Sequence, residues 1–406
     1  MSPGEPAWSV NLLAALRAAA PGASAVALAV RRGPDHAVLA TGSAALRGGA
    51  AAGPDTRFEI GSLTKTFTAL LLAEMVARGE VAYDDPITRF LPRAAAPHLR
   101  GAPITLLHLA THTSGLPRLP PGLLRSGAAH WFSNPYAAFS ATDLRAALAR
   151  TRPRAAPGTR VRYSNLGVGL LGALLTHAAH GPGASFAPLL ADRVLDPLGL
   201  TSTSCAADQP QATGHWHGRE RPTWQIPALP GAGAGRSSAR DLLTCLDALL
   251  DPAAAPAAVP ATLRAALADV TTPRIALPRT GRRIALIWNI RPRLTHDLYH
   301  HSGGTRGFTA FAGFSPRKHV ALVALAITSP ASTGTTPMAV PVTNSSSAVY
   351  ASAWASGRSR TGIPAARARS RTVARVMPGR MPSCTGGVCR TPDRTTKTFA
   401  AEPSDR

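Results

Sequence analysis

The sequence has very little lysine. Of its 44 basic residues only Lys65, Lys318 and Lys397 are lysine, and all the others are arginine. Acidic residues are also scarce, at 21 of 406, which leaves a formal net charge of +23. A charge of that size ordinarily points to nucleic acid or an anionic membrane surface. Here the arginines are scattered, no basic run is interleaved with aromatics, and Ala, Gly and Pro abound. The excess reads as the coding bias of a GC-rich genome, and no nucleic-acid partner is expected. No apolar run approaches the roughly 18 residues of a membrane span. Residues 1–23 lack a positive leading region and carry Glu5, so they read as a short amphipathic helix rather than a signal peptide. These absences make the cytoplasm the expected compartment. The four cysteines, Cys205, Cys245, Cys384 and Cys389, lack metal-ligand spacing and form no disulfide framework. Nothing in the sequence supports a local bridge between Cys384 and Cys389, and neither a metal nor a cofactor is expected.

One of the few lysines stands in a telling place. Residues 58–80 read FEIGSLTKTFTALLLAEMVARGE, with Ser62 and Lys65 three apart directly after Gly61. Phe67, Leu70, Leu71, Met75 and Val76 follow at helical spacing. That pattern predicts a helix with Ser62 in its first turn and Lys65 one turn on, on the same face. The helix dipole there favours a developing alkoxide. A lysine in reach of the hydroxyl can move its proton, which an arginine cannot. The spacing alone is unspecific, because Ser315 and Lys318 repeat it in a predicted turn.

Along the rest of the chain, two apolar runs at 24–30 and 36–41 flank RRGPD and predict a hairpin. Thr105 is an expected N-cap for a helix over LLHLATH. His108 and His112 lie four apart there, but no acidic or Cys partner accompanies them, so they read as structural rather than metal-binding. Residues 119–135 read as a long loop and 141–151 as a helix. A short extended piece at 160–163 delivers Tyr163-Ser164-Asn165 to a helix over 166–177, and another helix covers 185–194. Residues 205–230 read as an irregular surface region, and 230–235 as a flexible approach to a capped helix at 242–250, followed by one at 262–269. From residue 283 the period changes, with strands expected at 284–290, 297–301, 309–314 and 319–328. Strands at both ends with helices between predict an α/β fold: an antiparallel sheet flanked by helices, with an inserted, mainly helical lobe. The expected sheet lobe takes about 1–60 and 270–330, and the helical lobe about 61–269. Residues 331–406 carry eleven basic and three acidic residues without a periodic apolar face, and are expected to be a disordered tail.

Three motifs stand in one order: Ser62-Leu-Thr-Lys65, Tyr163-Ser-Asn165 and His301-Ser-Gly-Gly304. Together with ITLLHLATHTSGLP and GAGAGRSSARDL, they make residues 10–330 resemble the serine β-lactamase and penicillin-binding-protein superfamily, in its class C-like branch. That branch also holds D-alanyl-D-alanine peptidases and carboxylesterases. The resemblance implies that Ser62 is a nucleophile and that Lys65 and Tyr163 share its proton, the lysine lowering the phenol's pKa. It implies that Asn165 fixes the lysine and binds substrate, and that the amides of Ser62 and Gly304 form an oxyanion hole. Gly303 and Gly304 would let substrate approach the strand closely. His301 stands where β-lactamases typically have Lys. An imidazole titrating near pH 6.5 gives no fixed charge at neutral pH, which favours an esterase or peptidase. The expected activity is hydrolysis of a small ester or amide through an acyl-enzyme, esterase-like first, then D-Ala-D-Ala carboxypeptidase or β-lactamase. A binding protein that retains the fold without catalysis is the alternative of a different class. The sequence leaves the oligomeric state open.

Overall fold

The computed structural model describes residues 6–92, 96–97, 103–206 and 208–327. The expected tail, with Cys384 and Cys389, lies outside the described residues. In chain order the helices are α1 (Ala7–Ala19), α2 (Thr64–Ala77), α3 (Leu106–Ala110), α4 (Leu123–Gly127), α5 (Ala141–Arg150), α6 (Asn165–His180), α7 (Phe186–Leu190), α8 (Ala239–Leu250) and α9 (Ala261–Asp269). The strands are β1 (Ala25–Arg32), β2 (Asp35–Gly42), β3 (Phe58–Glu59), β4 (His215–Trp216), β5 (Arg219–Glu220), β6 (Arg236–Ser237), β7 (Ile275–Leu277), β8 (Arg282–Ile284), β9 (Asn289–Pro292), β10 (Asp297–Gly304), β11 (Phe308–Ser315) and β12 (Val320–Ile327).

Eight strands form one antiparallel sheet in the order β2-β1-β12-β11-β10-β9-β8-β7, so strands from both ends of the chain meet where β1 pairs with β12. This is the mixed helix-and-sheet fold expected from the alternation of strand and helix patterns. Side-chain alternation sorts the two faces. Ala25, Ala27 and Ala29 of β1 join Ala321, Val323 and Leu325 of β12 in the main core, on the side of the helices. Val26, Leu28 and Val30 face the other way with Leu322, Ala324 and Ala326, where Leu16 of α1 covers them.

α2 is the buried axis of the helical part. The expected apolar stripe is only half the story, because every residue from Thr64 to Met75 is buried. A helix enclosed on all sides is a core element rather than a surface one. It ends in a Schellman motif: Gly79, at φ +75°, donates to the Val76 carbonyl, and Glu80 donates to that of Met75.

Several local expectations need correction. Residues 284–290 are not one strand, because the chain turns inward between β8 and β9. Ala285, Leu286, Ile287 and Trp288 are buried there, and the Ile287 amide bonds the Ala110 carbonyl at 2.9 Å. Tertiary packing overrides the local strand pattern. β7 was not expected, being three residues between Pro273 and Pro278. The loop over 119–135 contains α4, entered through Gly122 at φ +90° with Leu123 buried. Residues 205–230 are not all surface, since Ala212, His215, Ile226 and Leu229 are buried and β4 pairs with β5 in a small hairpin.

Candidate active site

Three segments converge on the start of α2. The first is the 3₁₀ turn Gly61–Leu63 that leads into it. Gly61 holds φ +49°, and a side chain there would meet Gly304 backbone atoms at 2.6 Å. Only glycine allows the turn and β10 to lie this close. A Cβ on Gly303 would stand 1.9 Å from the Ile60 carbonyl oxygen and 2.9 Å from the Ser62 amide nitrogen. The neighbour that needs a small residue at Gly303 is therefore the protein's own turn, not an approaching substrate. Gly304 differs: it is exposed, and its missing side chain faces nothing nearer than the Phe308 carbonyl at 3.4 Å. β9 pairs with β10 only over Asp297 to His300, so no β9 residue pairs with the strand beside His301 to Gly304.

Ser62 is partly exposed, and two groups reach its hydroxyl. Lys65 Nζ stands 2.9 Å from Ser62 Oγ, and the Tyr163 hydroxyl donates to the same oxygen at 2.7 Å. Lys65 is fully buried and donates to the Ala232 carbonyl at 2.5 Å, with its Nζ 5.0 Å from the centre of the Tyr163 ring. Burial, and secondarily the Arg118 charge, pull the lysine well below its ordinary pKa. The phenol behaves otherwise than expected. Burial pushes Tyr163 up to about 12, although the Ser62 hydrogen bond and Arg118 pull it down. Enclosure outweighs the favourable charges, so the lysine is the member of the pair with the more accessible basic form.

Asn165 does not hold Lys65. Its Nδ2 donates to the Tyr136 hydroxyl at 3.1 Å, and its Oδ1 is buried without a partner. Ser164 rather than Asn165 caps α6, accepting from the Gly167 amide at 2.8 Å. His301 is buried beside Tyr163, their ring centres 6.4 Å apart, and its Nδ1 has no partner among the described residues. Burial first, then Lys65, His112 and His300, hold it well below the usual imidazole range. Burial therefore works against a gain of charge at this histidine as pH falls through the ordinary imidazole range.

Sequence reasoning passed over several residues here. The segment read as a flexible approach is a buried 3₁₀ turn, Pro230–Ala232, that docks on α2: Thr68 Oγ1 bonds the Gly231 carbonyl, and the Gly235 amide bonds Thr64 Oγ1. The run of Gly and Ala in GAGAG was the available signal, since small residues also mark close backbone packing. Buried Glu59 accepts from Thr305 Oγ1 at 2.6 Å and from the Trp224 amide at 2.7 Å, tying β3 to the β10–β11 turn. Arg118 lies with its guanidinium carbon 5.5 Å from the Tyr163 ring centre and has no carboxylate partner among the described residues. His108 closes a capping box with Thr105, and His112 accepts from the Ser164 amide. No His, Cys, Asp and Glu cluster suited to a metal exists among the described residues, nor a helix long and apolar enough to cross a membrane.

A hydroxyl shared between an enclosed amine and a phenol, at the mouth of a helix, suits activation of a serine. The family model described as Beta-lactamase matches residues 11–340, most of the chain. The chain belongs to the beta-lactamase family. Relatives within it carry different names. The chain is 39% identical over 149 residues to a protein of Escherichia coli K12 named beta-lactamase, covering 36% of this chain and 34% of that one. It is 37% identical over 152 residues to the D-alanyl-D-alanine-carboxypeptidase/endopeptidase AmpH of the same organism, covering 37% of each. It is 32% identical over 227 residues to esterase EstB of Burkholderia gladioli, covering 52% of this chain and 56% of that one. The matches thus span about a third of the first two relatives and just over half of the third.

Proposed function

We propose that this member of the family is a serine hydrolase that cleaves small, neutral esters through an acyl-enzyme on Ser62. The observation that carries the reading is the placing of Ser62 Oγ between Lys65 Nζ and the Tyr163 hydroxyl. Lys65, as a neutral amine, takes the Ser62 proton while Oγ attacks the ester carbonyl. The amides of Ser62 and Gly304, brought together by the glycine contact between turn and strand, receive the oxyanion. As the intermediate collapses, Tyr163 gives its proton to the departing alkoxide and is recharged by the Lys65 ammonium. A water then retraces the path, and the carboxylic acid leaves with Ser62 and Lys65 restored. A neutral His301 offers no charge to a substrate carboxylate, which supports an ester over a β-lactam. The likeness to an esterase over half of the chain supports the same choice.

A second reading has one observation of its own. Arg118 presents an unpaired guanidinium beside Tyr163 and would suit the terminal carboxylate of a D-alanyl peptide. The test is a panel of p-nitrophenyl esters, D-alanyl peptides and nitrocefin, with a fluorescent phosphonate read by intact mass. Ester turnover with a phosphonate adduct on Ser62, both lost in Ser62→Ala by about 10⁴-fold or more in rate, is the expected result. Peptide turnover that collapses in Arg118→Ala would favour the second reading. An adduct-free protein would fit a binding module instead.

A further inference from the structure

His112 carries several features that packing alone does not explain. It is buried at 5% exposure, yet its backbone adopts φ +58°, a left-handed conformation that side chains other than glycine seldom take. Its Nδ1 accepts the Ser164 amide at 3.3 Å, which assigns the ring proton to Nε2 in the neutral form. Nε2 is buried with no partner among the described residues. Nδ1 of His301, the other imidazole near Tyr163, is also buried and has no partner among the described residues. Native interiors rarely leave such groups unmatched without a role for them.

The ring itself packs against Tyr163, with centres 4.5 Å apart and planes tilted by 45°. The segment that carries His112 is laced to the segment that delivers Tyr163. The His112 carbonyl accepts from the Arg162 amide at 2.7 Å, that of Thr113 from Gly158, and that of Gly115 from Arg154. Ser164 Oγ then bonds the Pro117 carbonyl, and the Asn165 amide bonds that of Arg118. Residues 160–163, expected as a short extended piece, pair with no strand among the described residues, and this lacing is their support.

We infer that His112 is a positioning residue for Tyr163: its ring and its bond to the Ser164 amide set the phenol's aim at Ser62. The strained backbone places the imidazole under the phenol, and the amide bond fixes the ring's rotation. A loop-borne tyrosine without that support would sample other directions, and proton transfer to and from Ser62 depends on sub-ångström placement. This rests on the hydrolase reading.

A double-mutant cycle on a neutral p-nitrophenyl ester tests it. His112→Asn keeps an acceptor for Ser164 and tolerates positive φ but loses the ring; His112→Phe keeps a ring but loses the acceptor. Each is expected to lower kcat about 10- to 100-fold with KM changed less than about threefold. In a Tyr163→Phe background each is expected to cost less than about twofold, because there is no phenol left to aim. Equal losses in both backgrounds, or no loss in either, would overturn the inference. Should both variants fail to fold, ¹⁵N imidazole spectra of the wild-type protein decide: the Nε2–H form at His112 supports it, and the Nδ1–H form overturns it. A Ser62 phosphonate adduct in wild type keeps the hydrolase reading separate, since its presence with an additive cycle would sink only His112's role. Its absence would sink both.

Discussion

Lys65 and Arg236 are two buried basic side chains in one core, at 0% and 1% exposure, and they are treated in opposite ways. Arg236 donates to Gln211 Oε1 at 2.9 Å, to the Ala234 carbonyl at 2.5 Å and to the Trp224 carbonyl, with Glu59 supplying opposite charge. Lys65 has one carbonyl, one hydroxyl and an aromatic face, and no carboxylate among the described residues. A guanidinium keeps its proton at any working pH, so its burial requires a full set of acceptors. A lysine can give up its charge instead, and burial with Arg118 nearby drives it that way. One cation stays charged and holds β6 to the β4–β5 region; the other is left able to accept a proton. In a chain that writes arginine almost everywhere, the position that the proposed mechanism needs deprotonated is written as lysine.

Exchanging the two chemistries should show the difference most sharply. Lys65→Arg is expected to cut ester turnover by about 10³-fold or more, close to Lys65→Ala, because the charge survives but the base does not. It should also lose about 3 kcal/mol of stability, since a buried guanidinium there meets no carboxylate. Turnover within tenfold of wild type would place the base elsewhere. Arg236→Met is the mirror case. It is expected to cost about 3 kcal/mol in denaturant unfolding by leaving Gln211 Oε1 and two carbonyls short of a donor and Glu59 without its nearby positive charge, while Ser62 labelling per folded molecule is unchanged. A stable variant with lost labelling would reverse the two roles.

How far the sequence spoke about these residues differs between them. The pairing of Ser62 with Lys65 was legible because a helical period and a rare lysine are local signals, whereas the reason for a small residue at Gly303 was not, because the turn it packs on is distant in sequence. Lys65's environment was not, because Ala232 lies 167 positions away and its contribution is a backbone carbonyl, which any residue could supply. For a related reason the Tyr163 phenol, expected to be lowered, is raised, and His301, expected near 6.5, is held well below it. Sequence names the charged neighbours, but depth of burial is a tertiary quantity, and here it is the larger effect. Most of the sheet was legible as short apolar runs, apart from β7, which was not expected, and the turn at 285–288, whose apolar residues fill the core instead of pairing.

Smaller effects extend the contrast to the buried imidazoles. His112 is held down to about 3, so on acidification the unfolded chain takes up a proton near pH 6.5 that the folded protein refuses. The unfolded state then binds more protons, and stability falls as pH drops below about 6.5. By pH 5 this amounts to about 2 kcal/mol from His112, with His301 acting in the same direction. Urea melts at pH 7 and pH 5 check it; equal stabilities would mean that these rings accept protons in the folded protein. The smallest expected effect is a null one. The ratio of turnover on carboxylate-bearing to neutral esters should stay flat between pH 8 and 6, because His301 gains no charge there. A ratio that climbs toward pH 6 and is flattened by His301→Lys would restore this histidine as a reader of substrate charge.

Lys65 lies beside Ser62 with its pKa held well below that of an ordinary lysine, and the proposed mechanism uses it as a neutral amine. With only three lysines in the chain, ¹³C and ¹⁵N labelling of lysine side chains gives a spectrum of three signals, and the one lost in Lys65→Arg is identified directly. That signal is predicted to carry the shifts of a neutral amine at pH 7.5 and to titrate only at lower pH. A signal that remains an ammonium up to about pH 10, the range of an unperturbed lysine, would contradict the account.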